Sequence, residues 1–302
     1  MIRIDDSYSI LTSNLRGRKP KFKFQKDSEV FIYKYGAMNN EIWAELIAEQ
    51  LGLQVGIEMA HYEIASYDDT IGVLTPSFLK PNELIISSDN LKLNILNIYQ
   101  ENNIFANLSN NTIVNIVRSA CLHDPRVKVK SLTLELMLRW CFYGLIMESD
   151  KNETNIAFIR GKNALRLTPD FDNSSMCCLN KNISNIMDSL KSGYNIYTLT
   201  DSIKTNLRIN DDDTGFFLQD FENFAKKYPI QCDYCMERLS QINLEEVFNN
   251  VEKINNTEIP WEIKYWVSKL IQSRYNDMLN IYNKSKEYIN SSKNSLKKVN
   301  KC

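Results

Sequence analysis

The sequence predicts an α+β protein whose first part is mostly β and whose longer remainder is mainly helical. Up to about residue 87, apolar residues alternate along short runs separated by polar turns, which is typical of strands. From about residue 90 the apolar spacing becomes helical almost to the end. One amphipathic helix, from Glu41 to Leu51, interrupts the β part. We therefore expect a small N-terminal lobe over residues 1–78 and a larger helical lobe over residues 79–302.

The β part contains a predicted hairpin. Residues 21–24 alternate, and a second alternating run from Glu29 to Tyr35 follows a polar turn. On the second strand Lys34 shares a face with Val30 and Ile32. Its ammonium group should therefore point toward a core or a cleft, where it either extends to water or meets an anion.

The helix over residues 41–51 should end with Gly52 in the C′ position. Three glutamates recur along it at four-residue spacing: Glu41, Glu45 and Glu49. Like charges in such a row repel, so one of them should have a cationic partner, for which Lys34 is a natural candidate. The alternative is a solvated acidic face.

The remaining elements follow from the same periodicities. Further strands are predicted at 55–66, 70–75 and 83–87, and Pro76 and Pro81 bracket the crossover to the helical part. Helices are predicted at 91–100, 110–121, 131–147, 182–191, 214–227, 232–241, 243–254 and 260–290.

Composition limits the classes of function. The 36 basic and 37 acidic residues give a net charge of −1, so no global field recruits nucleic acid or anionic lipid. No apolar run approaches the roughly 20 residues of a membrane span, and the polar N-terminus lacks a secretory pattern. The seven scattered cysteines do not resemble a disulfide framework. We expect a cytoplasmic protein.

A polar loop and a hairpin within residues 147–176 contain an acid, an amide and a second acid. Asn155 follows Asp150 by five residues, as in the protein kinase catalytic loop, and Asp172 follows on the next hairpin. An acid can orient an acceptor hydroxyl, and amide and carboxylate oxygens suit Mg²⁺. The arrangement therefore favours phosphoryl transfer. Because Asp and Asn are common in turns, a loop without chemistry would fit the same residues.

The order of these motifs resembles the HipA-like serine/threonine kinases, and in particular their compact CtkA-type form. The matching stretches are Gly17 to Pro20, Phe31 to Lys34, Asn40 to Glu45 with Leu51 to Leu53, Asp150 to Asn155, and Leu167 to Asp172. The resemblance implies a protein-kinase-like bilobal fold that uses ATP and Mg²⁺.

The resemblance also assigns roles residue by residue. It implies that Lys34 holds the α- and β-phosphates and pairs with Glu41, that Asp150 is the catalytic base, and that Asn155 and Asp172 bind Mg²⁺. A phosphate loop would include Gly17, Arg18 and Lys19, and the adenine would lie near Pro76, Ser77 and Phe78. The nearest hydroxyls for autophosphorylation are Ser13 and Thr12.

One departure from the family pattern concerns the catalytic loop, where Asn152 stands in the usual position of a histidine. The resemblance implies a protein substrate with a Ser or Thr acceptor, and a small companion or antitoxin protein in a toxin–antitoxin module. From the balanced charge we expect no direct binding of nucleic acid. The alternatives are a catalytically weak pseudokinase that acts as a nucleotide-binding or interaction module, and a small-molecule kinase.

Overall fold

A computed structural model describes residues 1–12, 20–35, 40–98, 112–151, 155–180, 206–210 and 213–299. Within these ranges the chain forms a six-stranded sheet, a three-stranded sheet and eight α-helices. Several sequence predictions lie outside the described residues: Ser13, Gly17, Arg18, Lys19, Asn152 and the helix at 182–191.

The six-stranded sheet belongs to the N-terminal part of the chain. Its strands are β1 (Ile2–Arg3), β2 (Ser9–Thr12), β3 (Lys21–Lys26), β4 (Glu29–Lys34), β5 (Glu63–Tyr67) and β6 (Thr70–Pro76). They lie in the order β1-β5-β6-β4-β3-β2, and the β1–β5 pair is parallel while the other pairs are antiparallel. The predicted hairpin is the β3–β4 pair, in which Lys21 lies directly opposite Lys34.

The two faces of this hairpin differ in character, as the alternation predicts. One face carries Phe22, Phe24 and Tyr33, which belong to an aromatic cluster with Tyr67. Because successive side chains of a strand point to opposite faces, Lys21, Lys23 and Lys34 share the other face. The lysines are therefore directed away from the aromatic core.

Helix α1 (Asn40–Gln54) is longer than the sequence predicts. Gly52 does not end it but lies inside it, where a side-chain Cβ would collide with the Met59 thioether. The glycine with positive φ at this helix end is Gly56, at φ 83°, and its amide donates to the carbonyl of Leu53. Gly52 is therefore required for close packing, and Gly56 supplies the left-handed turn.

The second sheet and the remaining helices form the helical part. The sheet is antiparallel, with strands β7 (Leu84–Ser87), β8 (Ala157–Arg160) and β9 (Arg166–Leu167) in that order. The helices are α2 (Ser88–Ile98), α3 (Ile113–His123), α4 (Val129–Leu145), α5 (Phe217–Lys227), α6 (Pro229–Leu239), α7 (Leu244–Asn255) and α8 (Trp261–Val299). A sheet-rich part followed by a helical part confirms the predicted fold class.

Two strand predictions need correction. The strand predicted at 55–66 is reduced to β5, because residues 58–60 instead bond to Asp170 of the helical part. β2 is absent from the sequence prediction, since it is an edge strand whose four residues are all exposed and carry no burial pattern. Among the described residues, no helix is long and apolar enough to cross a membrane.

Candidate active site

Lys34, at the end of β4, joins the two parts of the chain through ion pairs. Its Nζ lies 2.5 Å from Oε1 of Glu45 on α1 and also contacts Oδ1 of Asp172, which follows β9. Glu45 is almost fully buried, and the Lys34 side chain is 10% exposed. A buried lysine needs such partners, because an unpaired charge in the interior is costly.

The partner on the helix is Glu45, so the predicted pairing of Lys34 with Glu41 is wrong. Glu45 lies one turn further along the same row of glutamates. Its second oxygen, Oε2, accepts a hydrogen bond of 2.8 Å from the backbone amide of Asn173. Glu45 therefore positions both Lys34 and the backbone next to Asp172.

Electrostatics keep Lys34 and Asp172 charged. Burial alone would lower the pKa of Lys34, but its attraction to Glu45 and Asp172 outweighs burial and raises that pKa. Burial likewise acts to raise the pKa of Asp172, while Lys34 and Lys21 together hold it well below its usual range. Both groups are therefore ionised at neutral pH.

The backbone at Asp172 has the unusual φ of 62°, in the left-handed region that non-glycine residues seldom occupy. In this conformation its amide donates a 3.2 Å hydrogen bond to the hydroxyl of Tyr62. The turn thus directs the carboxylate toward β3 and β4, where Lys21 and Lys34 contact it.

Asp150 and Asn155 lie together in the loop after α4. The Asp150 side chain is exposed, and Nδ2 of Asn155 donates to the backbone carbonyl of Asp150 over 2.6 Å. This bond uses the side-chain nitrogen of Asn155, and within the described residues its Oδ1 accepts no hydrogen bond, so that oxygen can serve as a ligand for a cation. The Asp150 carboxylate is likewise accessible to an acceptor hydroxyl.

Lys151 ties this loop to the segment that carries Asp172. Its side chain is 1% exposed, and Nζ donates to the carbonyl of Phe171 and lies 3.4 Å from Oδ1 of Asp170. Asp170 also accepts a 2.5 Å bond from the hydroxyl of Tyr143 and a 3.0 Å bond from Nδ2 of Asn173. This buried network fixes the two halves of the site relative to each other.

The residues predicted to flank an adenine lie at the end of β6. Pro76 pairs with Phe31, and the amide of Ser77 donates to the carbonyl of Val30 over 2.7 Å. The ring of Phe78 lies 6.1 Å from that of Phe171, next to Asp172. Thr12, the predicted alternative phosphoacceptor, is exposed at the end of β2.

Comparison with known proteins identifies the fold. No family model and no curated protein sequence matches the chain. The crystal structure of the Helicobacter pylori proinflammatory kinase CtkA superimposes with a TM-score of 0.73 over 93% of this chain and 96% of that one, at 13% identity. The chain has the CtkA kinase fold.

A second structure extends the comparison. The Shewanella oneidensis MR-1 toxin–antitoxin system, which contains HipA, HipB and operator DNA, matches with a TM-score of 0.55 at 12% identity. This match covers 90% of the present chain and 66% of that one. The resemblance predicted from the sequence is thereby confirmed at the level of the fold.

Within the CtkA kinase fold, Glu148 is a buried acid that holds the loop containing Asp150 in place through hydrogen bonds. It is 1% exposed and accepts bonds from the Asp150 amide, at 2.9 Å, and from the amide and hydroxyl of Ser175. Burial raises the pKa of Glu148 to about 7, against the opposing effects of Lys151 and these bonds.

This shift predicts a pH-dependent stability. The folded-state pKa of Glu148 exceeds its unfolded value, so its stabilising contribution is complete below about pH 4.5 and is lost as pH rises through about 7. In Glu148→Gln that loss cannot occur. From pH 5 to pH 8 the free energy of unfolding of the variant should therefore rise relative to wild type by on the order of 2 kcal/mol. Urea unfolding at both pH values tests this, and an identical pH dependence would contradict it.

A cavity of about 340 Å³ elsewhere on the helical part is not the candidate site. It is lined by His123, Asp124, Arg126, Arg160, Gly161, Asn163 and Leu165. Arg126 and Asp124 pair with each other at 2.9 Å, and Arg126 also donates to the carbonyls of Lys162 and Asn163. Their hydrogen bonds fix the local loop, and the lining contains none of the residues around Lys34.

Proposed function

We propose that the chain is an ATP- and Mg²⁺-dependent kinase that phosphorylates a Ser or Thr hydroxyl of a protein. The observation that carries the proposal is the contact of Lys34 with both Glu45 and Asp172. It joins the six-stranded sheet to α1 and to the segment after β9. A lysine held between two carboxylates at the junction of two parts of a fold is suited to phosphates, because its ammonium group has three N–H donors and the two carboxylates leave one for a phosphate oxygen.

The residues present fit a magnesium ion. Mg²⁺ prefers oxygen ligands and usually takes one or two from the protein, together with phosphate oxygens and water. Asp172 offers an ionised carboxylate, and Asn155 offers its Oδ1, since its bond to the Asp150 carbonyl uses Nδ2. When bound, the ion would offset negative charge on the transferring phosphoryl group.

The side chains of this protein would then act through position and charge. Lys34 would bind the α- and β-phosphates, which belong to the leaving group, and Glu45 would keep the ammonium group directed toward them. Asp150 orients the acceptor hydroxyl and accepts its proton. A bond forms between that oxygen and the γ-phosphorus, and the bond from the γ-phosphorus to the β–γ bridging oxygen breaks, which releases ADP.

Two other functions remain as rivals within the proposal. A pseudokinase is favoured by Asn152, which replaces the histidine of the family pattern. A small-molecule kinase would use the same chemistry on another acceptor.

We further propose a small companion protein, since the HipA structure that shares this fold contains HipB. Recovery of the tagged chain alone from its native cells, under conditions that preserve complexes, would contradict the companion.

The phosphoryl-transfer assay separates these functions. Wild-type protein with γ-labelled ATP and Mg²⁺ should label itself or a protein in a cell lysate, and Asp150→Asn should reduce the rate by roughly 10²- to 10⁴-fold. Nucleotide binding without transfer to any protein would support the pseudokinase. Label confined to small molecules would support the small-molecule kinase.

A further inference from the structure

Lys21 is a second lysine at the candidate site. It is the first residue of β3 and lies directly opposite Lys34 on β4. Its Nζ is 3.5 Å from Oδ2 of Asp172, while Lys34 contacts Oδ1. Each oxygen of the Asp172 carboxylate therefore has a lysine against it.

The two lysines are held differently. Lys34 is nearly buried and has a second ion pair with Glu45 at 2.5 Å. The side chain of Lys21 is 23% exposed, and Asp172 is its one ion-pair partner within the described residues. Because an exposed single pair is weak and a buried double pair is not, Lys21 is the lysine that can leave Asp172.

A metal ion and Lys21 compete for the same oxygen. Magnesium–oxygen distances are about 2.0–2.1 Å, so an ion bound to that oxygen would lie close to the Lys21 ammonium group, and the two positive charges would repel each other. The flexible stem of Lys21 allows its head to move several ångströms while the strand stays in place. A triphosphate at this site would offer it a new anionic partner.

We propose that Lys21 is a positioning residue that exchanges partners during ligand binding. It covers Oδ2 of Asp172 before metal binds, then leaves that oxygen and contacts a nucleotide phosphate. This inference rests on the proposed kinase function and adds a regulation of the metal site. Its consequence is that metal alone binds poorly, whereas metal and nucleotide together bind well.

The exchange predicts effects of opposite sign when the charge of Lys21 is removed. In Lys21→Gln, Mn²⁺ alone should bind about threefold to fivefold more tightly, because a partly exposed ion pair no longer competes for Asp172. The same variant should bind a non-hydrolysable ATP analogue, with Mg²⁺ in excess, roughly tenfold more weakly, because one charge-assisted bond is lost. If Lys21 only supported the local structure, its substitution would weaken both the binding of Mn²⁺ and the binding of the ATP analogue.

Lys23→Gln is the matched control. Lys23 lies on the same strand and the same face, opposite Ile32 instead of Lys34, and the substitution removes the same charge. It should change both affinities by less than about twofold, since a more distant, solvent-screened charge has little effect. Electron paramagnetic resonance of free Mn²⁺ measures the first affinity, and calorimetry measures the second.

Each outcome decides the inference. Tighter Mn²⁺ binding in Lys21→Gln that disappears when Asp172→Asn is added supports the competition. Unchanged or weaker Mn²⁺ binding, or a gain that survives in the double variant, overturns it. Unchanged nucleotide affinity overturns the contact with phosphate. If wild type binds no nucleotide at all, the proposed kinase function fails, and the Mn²⁺ comparison still reports on Lys21 and Asp172.

Discussion

Asp172→Asn is expected to reduce phosphoryl transfer by at least about a hundredfold while the chain stays folded. Asparagine retains the size of the side chain and accepts the left-handed backbone of this position, at φ 62°. It loses the negative charge that contacts Lys34 and Lys21 and that would ligate Mg²⁺. The initial rate of label transfer from ATP, at saturating Mg²⁺, measures the loss.

Asp69→Asn provides a matched control for this variant. Asp69 has a similar φ of 57° but lies in the exposed turn between β5 and β6. Its substitution should leave the rate within about twofold of wild type, because surface changes away from special features have small effects. If Asp172→Asn kept more than a tenth of wild-type activity, the Asp172 carboxylate would not be needed for the reaction.

Glu45→Gln should lower both activity and stability, whereas Glu41→Gln should affect activity much less. Glutamine at position 45 can still accept the amide of Asn173, but it no longer neutralises the buried Lys34. We expect a loss of about 2 kcal/mol in the free energy of unfolding, since Lys34 retains Asp172 and is not left wholly unpaired. The rate of transfer should fall roughly tenfold to a hundredfold.

Comparison of the two variants tests the choice of glutamate. Denaturant unfolding gives the stabilities, and the label-transfer assay gives the rates for proteins prepared in parallel. If Glu41→Gln reduces phosphoryl transfer more than Glu45→Gln does, then the ion pair of Lys34 with Glu45 is not the one that serves the reaction. That result would favour the pairing of Lys34 with Glu41 that the sequence predicted.

Local patterns in the sequence predict the placement of some residues at the candidate site. Alternation along residues 29–35 correctly places Lys34 on the face away from the aromatic residues. The structure also brings Asn155 to the backbone of Asp150. In both cases the arrangement depends on residues that are close in the chain, whereas the contact of Lys34 with Asp172 joins residues that are far apart in it.

The choice among the glutamates of α1 could not be predicted in this way. Residues one turn apart lie on the same face of a helix, so Glu41 and Glu45 present the same pattern. Which of them meets Lys34 depends on how far α1 is shifted along the sheet, a distance set by packing. Gly52 misled the prediction similarly, because its role is contact with Met59 instead of a helix end.

Lys21 and Lys151 escaped the sequence analysis for a related reason. A lysine in an alternating strand, or next to an acid in a loop, usually extends into water. The burial of Lys151 against Asp170 and Phe171 arises only when the loop after α4 meets the segment after β9. The one available signal for Lys21 is its position on the same face of the hairpin as Lys34.

The central claim is that Lys34 and Asp172 face a single nucleotide. Calorimetric titration of wild type and Lys34→Met with a non-hydrolysable ATP analogue and Mg²⁺ tests it most directly. The account predicts one site per chain with a dissociation constant between roughly 1 µM and 1 mM, weakened at least about tenfold in Lys34→Met. The absence of binding to wild type, or equal affinity of the two proteins, would contradict it.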